Sequence, residues 1–408
     1  MANFECKVYK VDFIEEHPNA DRLNLVHIKG FTCIANKLED GSPRYKKDDL
    51  VVYIPENALL PQWMMVNLGL WDEEKLKGKL AGSEGNRCKA IRLRGIYSEG
   101  ILYPIKMNVP FVDMDTNVRH FEDMLEYYTD DGKRPAWEPV HEGDDVKDLL
   151  GVTKYEPPVP QHMAGECFGA GDIFYHYDID SIEKYPEILH ENEEVYITEK
   201  IHGTQTRIQF TLEPYKDNDE CFVREINGHK LYVYIASKGL GDQGICFKNV
   251  SSNDNNVYVM AFNDYFKDYQ LDLIWNLLSS QDDIHKITFF GETFGNTQDL
   301  HYGVKPNEHN QLNFFDVALD NKFMDYLPFV RLISELCLPR VPELYVGPFY
   351  MDKVVELTDG KSVYDINQIR EGCVIKPTHE RVDNEIGRVI LKSVSQDYKL
   401  RKNATEFN

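Results

Sequence analysis

The string Thr198-Glu199-Lys200-Ile201-His202-Gly203-Thr204 puts a lysine at the end of an apolar run and a glycine three residues later. Such a lysine can attack the α-phosphorus of a nucleotide and form a phosphoramidate, provided its amine is deprotonated. The glycine lets the backbone turn closely past a bound nucleotide. Taken alone, K-x-x-G is an ordinary turn.

Four further strings follow in order: Phe290-Gly291-Glu292, Phe314-Phe315-Asp316, Glu371-Gly372-Cys373-Val374-Ile375-Lys376 and Val389-Ile390-Leu391-Lys392-Ser393. Together they supply what nucleotidyl transfer needs. Glu292 and Glu371 can hold a hard divalent cation, usually through water. An aromatic face can stack on a base, and strand alternation leaves Phe314 and Phe315 both open for that role. Lys376 and Lys392 can neutralise phosphates as charge shifts in the transition state.

These strings need a scaffold. The chain has 408 residues, 42 % of them hydrophobic. That predicts two or three domains at roughly 100–200 residues each and excludes a mainly disordered protein. No run of about 18 apolar residues occurs, so no membrane partner is expected. The start lacks a basic-then-apolar signal pattern, and the reading is a soluble, cytoplasmic protein. Eight cysteines contain no C-x-x-C pair, and no H-E-x-x-H occurs. The cysteines read as small buried apolar side chains, without a zinc site.

The net charge of −23 argues against a nucleic-acid partner when taken whole. Its distribution softens the objection. Residues 1–110 carry 16 Lys and Arg against 15 Asp and Glu, residues 111–199 carry 6 against 23, and residues 200–408 carry 23 against 30. The acid is concentrated in the middle.

Residues 1–110 read as short strands separated by turns at His17-Pro18-Asn19-Ala20-Asp21 and Glu39–Pro43, which predicts a small closed β-barrel. Arg87, Lys89, Arg92 and Arg94 cluster there, either as an RNA-backbone contact or as a solvated face. Residues 111–160 read as an acidic insertion ending in a stiff connector at Pro157, Pro158 and Pro160. Residues 161–408 alternate strands with helices, an α+β pattern.

The ordered set of five strings resembles motifs I, III, IIIa, IV and V of the covalent nucleotidyltransferases, which comprise ATP-dependent RNA and DNA ligases and mRNA capping enzymes. EKIHGT, FGETFG and EGCVIKP are most similar to the RNA ligase 2 family, over residues 190–402. HPNADRL, VVYIP and IRLRGIYSEGILYP resemble the OB-type domain ahead of the ligase domain in one branch of RNA ligases. HPNADRL also resembles tRNA-binding OB modules; the order, OB then ligase, selects the branch.

The resemblance implies an OB-type barrel followed by an adenylyltransferase domain, ATP-grasp-like, of antiparallel sheets flanked by helices. It implies an ATP-dependent RNA ligase acting in RNA repair, a monomer that joins 3′-OH and 5′-phosphate RNA ends. Lys200, His202, Lys376 and Lys392 would be catalytic. Thr198, Glu199, Gly203, Lys238, Glu292, Phe315 and Glu371 would complete the ATP site, with Phe315 as the stacking ring because the family places it directly before the aspartate. Mg²⁺ or Mn²⁺ would rest on Glu292 and Glu371. Three positions depart from the pattern: Ser393-Val394 follows Lys392 where K-x-K is common, Lys238 stands where an arginine is usual, and His202 replaces an acid. A DNA ligase or capping enzyme is the second reading, although there the OB domain usually follows. A non-catalytic RNA-binding OB protein is the third.

Overall fold

The computed structural model describes residues 4–112, 119–129, 132–216, 220–281, 283–402 and 404–405. The chain divides into two units. One runs to Glu156 and also takes Glu183–Pro186; the other comprises Pro157–Ile182 and the chain from Glu187 onward.

In the amino-terminal unit, Leu50–Ile54 is the centre of an antiparallel sheet between Val8–Lys10 and Ile101–Pro104. Its sequence LVVYI is a continuous apolar run because both faces are covered. Leu50, Val52 and Ile54 join a cluster with Val8 and Met64, while Val51 and Tyr53 join another with Val26 and Phe31. A second sheet orders Phe13–Glu16, Leu23–Ile28 and Phe31–Asn36.

The turn cluster at His17 has a specific task. The His17 ring lies 3.3 Å from the Leu93 carbonyl, and the Asn19 side-chain Nδ2 donates to the Arg94 carbonyl at 2.9 Å. These bonds brace the hairpin Ile91–Leu93/Ile96–Ser98. Its two turn residues, Arg94 and Gly95, have φ of 47° and 90°, the left-handed pair that matches strand twist in a tight hairpin.

The expected acidic insertion is largely structured and belongs to this unit. Lys106–Val112, Arg119–Thr129 and Arg134–Pro139 form a three-stranded antiparallel sheet. Leu125, Val140, Val146 and Leu150 are buried in the same cluster as Val8 and Val52. The amino-terminal unit thus runs on to Glu156, at the edge of the proline connector. The acidic composition reflects solvent-facing positions, which conceal the apolar anchors between them. Residues 113–118 and 130–131 of this stretch lie outside the described residues.

The carboxy-terminal unit is α+β, built on two sheets. One orders Phe222–Ile226, His229–Ser237, Thr204–Thr211, Lys286–Phe294, Gln311–Leu319 and Lys322–Phe323, all antiparallel. The other orders Asp180–Ser181, Leu391–Val394, Gly372–Pro377, Glu194–Lys200 and Glu343–Pro348, with only the first pair parallel. Helices Val257–Tyr265, Asp268–Ser279 and Tyr326–Glu335 cover the first sheet through Phe262, Leu271, Ile274, Phe329 and Ile333. Asn256 caps the first of them, accepting from the Tyr258 and Val259 amides. Among the described residues no helix is long and apolar enough to cross a membrane. Six of the eight cysteines are buried, Cys167 is half-buried and Cys337 is exposed.

Candidate active site

Lys200 ends one strand, and four residues later the chain enters the other sheet at Thr204. The lysine therefore sits where the two sheets exchange the chain. Cross-strand partners share a face. The register Tyr196↔Lys376, Thr198↔Val374, Lys200↔Gly372 and Val374↔Lys392 puts Thr198, Lys200, Lys376 and Lys392 on one face. Glu199 falls on the other. Its buried carboxylate accepts the Val363 amide at 2.8 Å, and burial pushes it upward in pKa. Glu199, expected at the ATP site, thus turns its side chain away from the Lys200 face and anchors the Ser362–Tyr364 loop.

Lys200 Nζ lies 2.6 Å from Glu371 Oε1. Gly203 makes the crossing possible, because a Cβ there would lie 2.3 Å from the Thr293 carbonyl oxygen. Its amide donates to the Glu292 carboxylate. Burial pushes Glu292 up to about 8; the Glu371 charge adds to this, and Lys200, Gly203 and Lys238 oppose it. Burial likewise pushes Lys392 down to about 8, with Lys200 and Lys238 adding and Glu371 and Asp180 opposing. Lys238, at the start of the short helix Lys238–Asp242, pairs with Asp178 at 2.8 Å.

Three ammonium groups and two carboxylates thus act on one another at one end of the lysine strand. The ammonium groups suit a polyphosphate, and the Glu292–Glu371 repulsion suits a cation between them. Among the described residues no three His, Cys, Asp or Glu side chains gather to hold a metal unaided. A Mg²⁺-like ion completed by water and substrate phosphates fits such a two-carboxylate donor set.

Phe314 and Phe315 separate by alternation. Phe314 is fully buried in the core, its ring 5.7 Å from Phe266 and 5.8 Å from Phe289. Phe315 faces the opposite way, 5.2 Å from Tyr177, and is only partly buried beside Val374 and Ile390. Its neighbour Asp316 holds a buried charge network. Arg388 binds both carboxylate oxygens at 3.0 Å, the Tyr177 hydroxyl donates to one of them, and Lys376 Nζ lies 3.0 Å away. Lys376 also donates to the Phe315 carbonyl at 2.8 Å. This corrects the expectation that Lys376 is a phosphate-neutralising group: its ammonium is buried and committed to Asp316. Burial lowers its pKa, against the pull of Asp316.

His202 is fixed on several sides. Its ring nitrogens lie 2.9 Å from Asp299 and 2.8 Å from the Tyr398 hydroxyl, and its amide donates to Tyr302 at 3.2 Å. Sequence reasoning missed Asp178, Asp180, Asp299, Arg388, Tyr398 and Arg401. Arg388 stands directly before the last motif string, and Asp178 and Asp180 lie in the Gly- and His-rich stretch after the prolines; neither has a periodic signal.

In the amino-terminal unit the basic cluster divides. Arg87 donates to Asn57 Oδ1 at 3.0 and 2.5 Å, and its guanidinium lies 3.7 Å over the Tyr155 ring. It is a packing residue and not part of an open basic face. Arg92 and Arg94 are exposed on the braced hairpin, and Lys89 is half-buried.

Comparison with known proteins agrees with this fold. Residues 193–394 match the RNA ligase family, and residues 6–105 match an OB-fold domain. Among solved structures, Naegleria gruberi RNA ligase with PPi aligns at TM-score 0.67 and 18 % identity, covering 97 % of this chain and 98 % of that one. A glutamate-to-alanine variant of that ligase with AMP and Mn aligns at 0.68 and 17 %, with the same coverage. A lysine-to-alanine variant with ATP and Mn aligns at 0.66 and 17 %, again over 97 % and 98 % of the two chains. No curated protein matches by sequence. Residues 193–394 are thus a domain of the RNA ligase family, with an OB-fold domain ahead of it.

Proposed function

We propose that the protein is an ATP-dependent RNA ligase that joins 3′-OH and 5′-phosphate ends through lysyl-AMP. In the first step Lys200 Nζ bonds to the α-phosphorus, the α–β phosphoanhydride breaks and pyrophosphate leaves with the electron pair. AMP then passes from Lys200 to a 5′-phosphate of RNA. The 3′-hydroxyl oxygen attacks that phosphate, and AMP leaves. Lys238 and Lys392 neutralise phosphate charge, and Phe315 stacks on the adenine. Glu292 and Glu371 would hold Mg²⁺ or Mn²⁺, which orients and neutralises the phosphates when bound. Arg92 and Arg94 contact the RNA backbone.

The observation that carries this reading is the 2.6 Å Lys200–Glu371 pair, set among Glu292, Lys238 and Lys392. Incubation with α-labelled ATP or GTP and a divalent metal, followed by denaturing electrophoresis, tests it. Label from ATP supports the reading; equal label from GTP favours a capping enzyme; no label opposes both.

A further inference from the structure

The chain beyond the last motif strand returns to the nucleophile loop. Gln396–Lys399 is a short helix capped by Ser395, whose hydroxyl accepts the Tyr398 amide at 3.4 Å. From it, the Tyr398 hydroxyl reaches His202 Nδ1 at 2.8 Å. Arg401 then grips Asp299, donating Nε to Oδ2 at 2.8 Å and Nη2 to Oδ1 at 3.1 Å, while its guanidinium lies 3.7 Å over the Tyr398 ring. The Thr405 amide and hydroxyl also donate to Asp299 Oδ1, at 3.0 and 2.9 Å.

The donors and acceptors fix one arrangement of the His202 ring. Burial opposes ionisation of Asp299, yet hydrogen bonds from His202, Arg401 and Thr405 hold it well below the usual carboxylate range, so it only accepts. Arg401 Nη2 lies 3.1 Å from Asp299 Oδ1, 2.9 Å from the Thr405 carbonyl and 3.2 Å from His202 Nε2. Nε2 of His202 therefore donates to the ionised Asp299 at 2.9 Å, and Nδ1 pairs with the Tyr398 hydroxyl at 2.8 Å. That Nδ1 edge lies 4.0 Å from Glu371 Oε2, the carboxylate whose other oxygen holds Lys200.

We infer that Ser395–Arg401, together with Thr405, is a latch that sets the active site: Tyr398, Arg401 and Asp299 are positioning residues that lock the His202 imidazole against Glu371 and so aim Glu371 at Lys200. The inference rests on the nucleotidyl-transfer reading above and adds to it a dependence on a segment outside the five motif strings. A ring free to turn would let Glu371 leave Lys200, which slows the chemical step and leaves ATP contacts elsewhere intact.

The test measures single-turnover AMP transfer to the full-length protein over a range of ATP concentrations, with melting temperature alongside. Tyr398→Phe removes one hydroxyl and keeps the ring. Asp299→Asn offers an amide that can donate to Nε2, which permits the other tautomer. Both variants are expected to lose roughly 10- to 100-fold in maximal rate, the scale of a small misplacement of reacting groups. Half-saturating ATP should stay at the wild-type value, and Tyr398→Phe should melt like wild type. Wild-type rates in both variants overturn the inference, as does a loss confined to ATP affinity. A drop in melting temperature that accounts for the loss in Tyr398→Phe also overturns it, by making the contact merely structural. If Asp299→Asn fails to fold, Tyr398→Phe decides alone. Wild-type protein that takes no label overturns the nucleotidyl-transfer reading itself, and this inference with it.

Discussion

Lys376 and Asp316 meet as a buried ion pair, Nζ to Oδ2 at 3.0 Å, from strands of different sheets. The pair joins the two sheets directly beneath Phe315, whose carbonyl takes a second bond from the same ammonium at 2.8 Å. A charge that looks available for phosphate in the sequence is in fact holding the proposed stacking residue.

Lys376→Met should therefore act on stability and on the nucleotide together. Removing one partner of a buried pair costs about 3–5 kcal/mol. Arg388 still binds both Asp316 oxygens, which places the expected loss near the low end of that range. Urea denaturation checks it; an unchanged midpoint would contradict the pairing.

The two adjacent phenylalanines should fail in different ways. Phe314→Ala opens a core cavity and should cost about 3–5 kcal/mol of stability. Phe315→Ala should leave the fold near wild type and weaken ATP use by roughly 1–3 kcal/mol, the range for base–aromatic stacking. Denaturation curves and half-saturating ATP, measured on both variants, separate the two roles.

Glu292 and Lys392 predict a stability minimum near pH 8 in metal-free protein. Glu292 is raised from its ordinary value to about 8, so the folded state binds the extra proton between about 4.5 and 8, and stability falls as pH rises through that window. Lys392 is lowered to about 8, so between about 8 and 10.5 the unfolded state binds the extra proton, and stability rises again with pH. Glu292→Gln should flatten the lower limb and Lys392→Met the upper one, read as melting temperature against pH. Added Mg²⁺ should stabilise more at pH 8 than at pH 6, because a cation competes with the Glu292 proton.

On the OB-fold domain, charge reversal at Arg92 and Arg94 should weaken RNA binding and flatten its salt dependence, since the slope falls by about one for every phosphate no longer neutralised. Arg87→Ala should instead lower the melting temperature, because the arginine bonds to Asn57 and packs over the Tyr155 ring. RNA titrations at several salt concentrations distinguish these. An Arg87 variant with weakened RNA affinity at full stability would reverse the assignment.

The motif strings were legible because residue type, order and strand alternation act locally. Lys200 stands at a strand end, Gly203 at the crossing between sheets, and Phe315 on the face opposite Phe314. Period-two alternation also separates Glu199 from Lys200, a consequence the motif pattern obscured. Lys376 misled for a non-local reason: its partner Asp316 lies on the other sheet, and no spacing in the sequence reports that. The latch is harder still, since Tyr398 and Arg401 reach a histidine almost 200 residues earlier in the chain. The sheet spanning 106–139 was hidden by composition, because a few buried residues such as Met124 and Leu125 sit among many solvated acids.

The central claim is that Lys200 takes AMP from ATP. Incubating the protein with ATP and Mg²⁺, then locating the adduct by peptide mass mapping, tests it most directly. The account predicts one AMP on the peptide bearing Lys200, no adduct in Lys200→Ala, and its loss from wild type when pyrophosphate is added back. An adduct on another residue, or full labelling of Lys200→Ala, would contradict it.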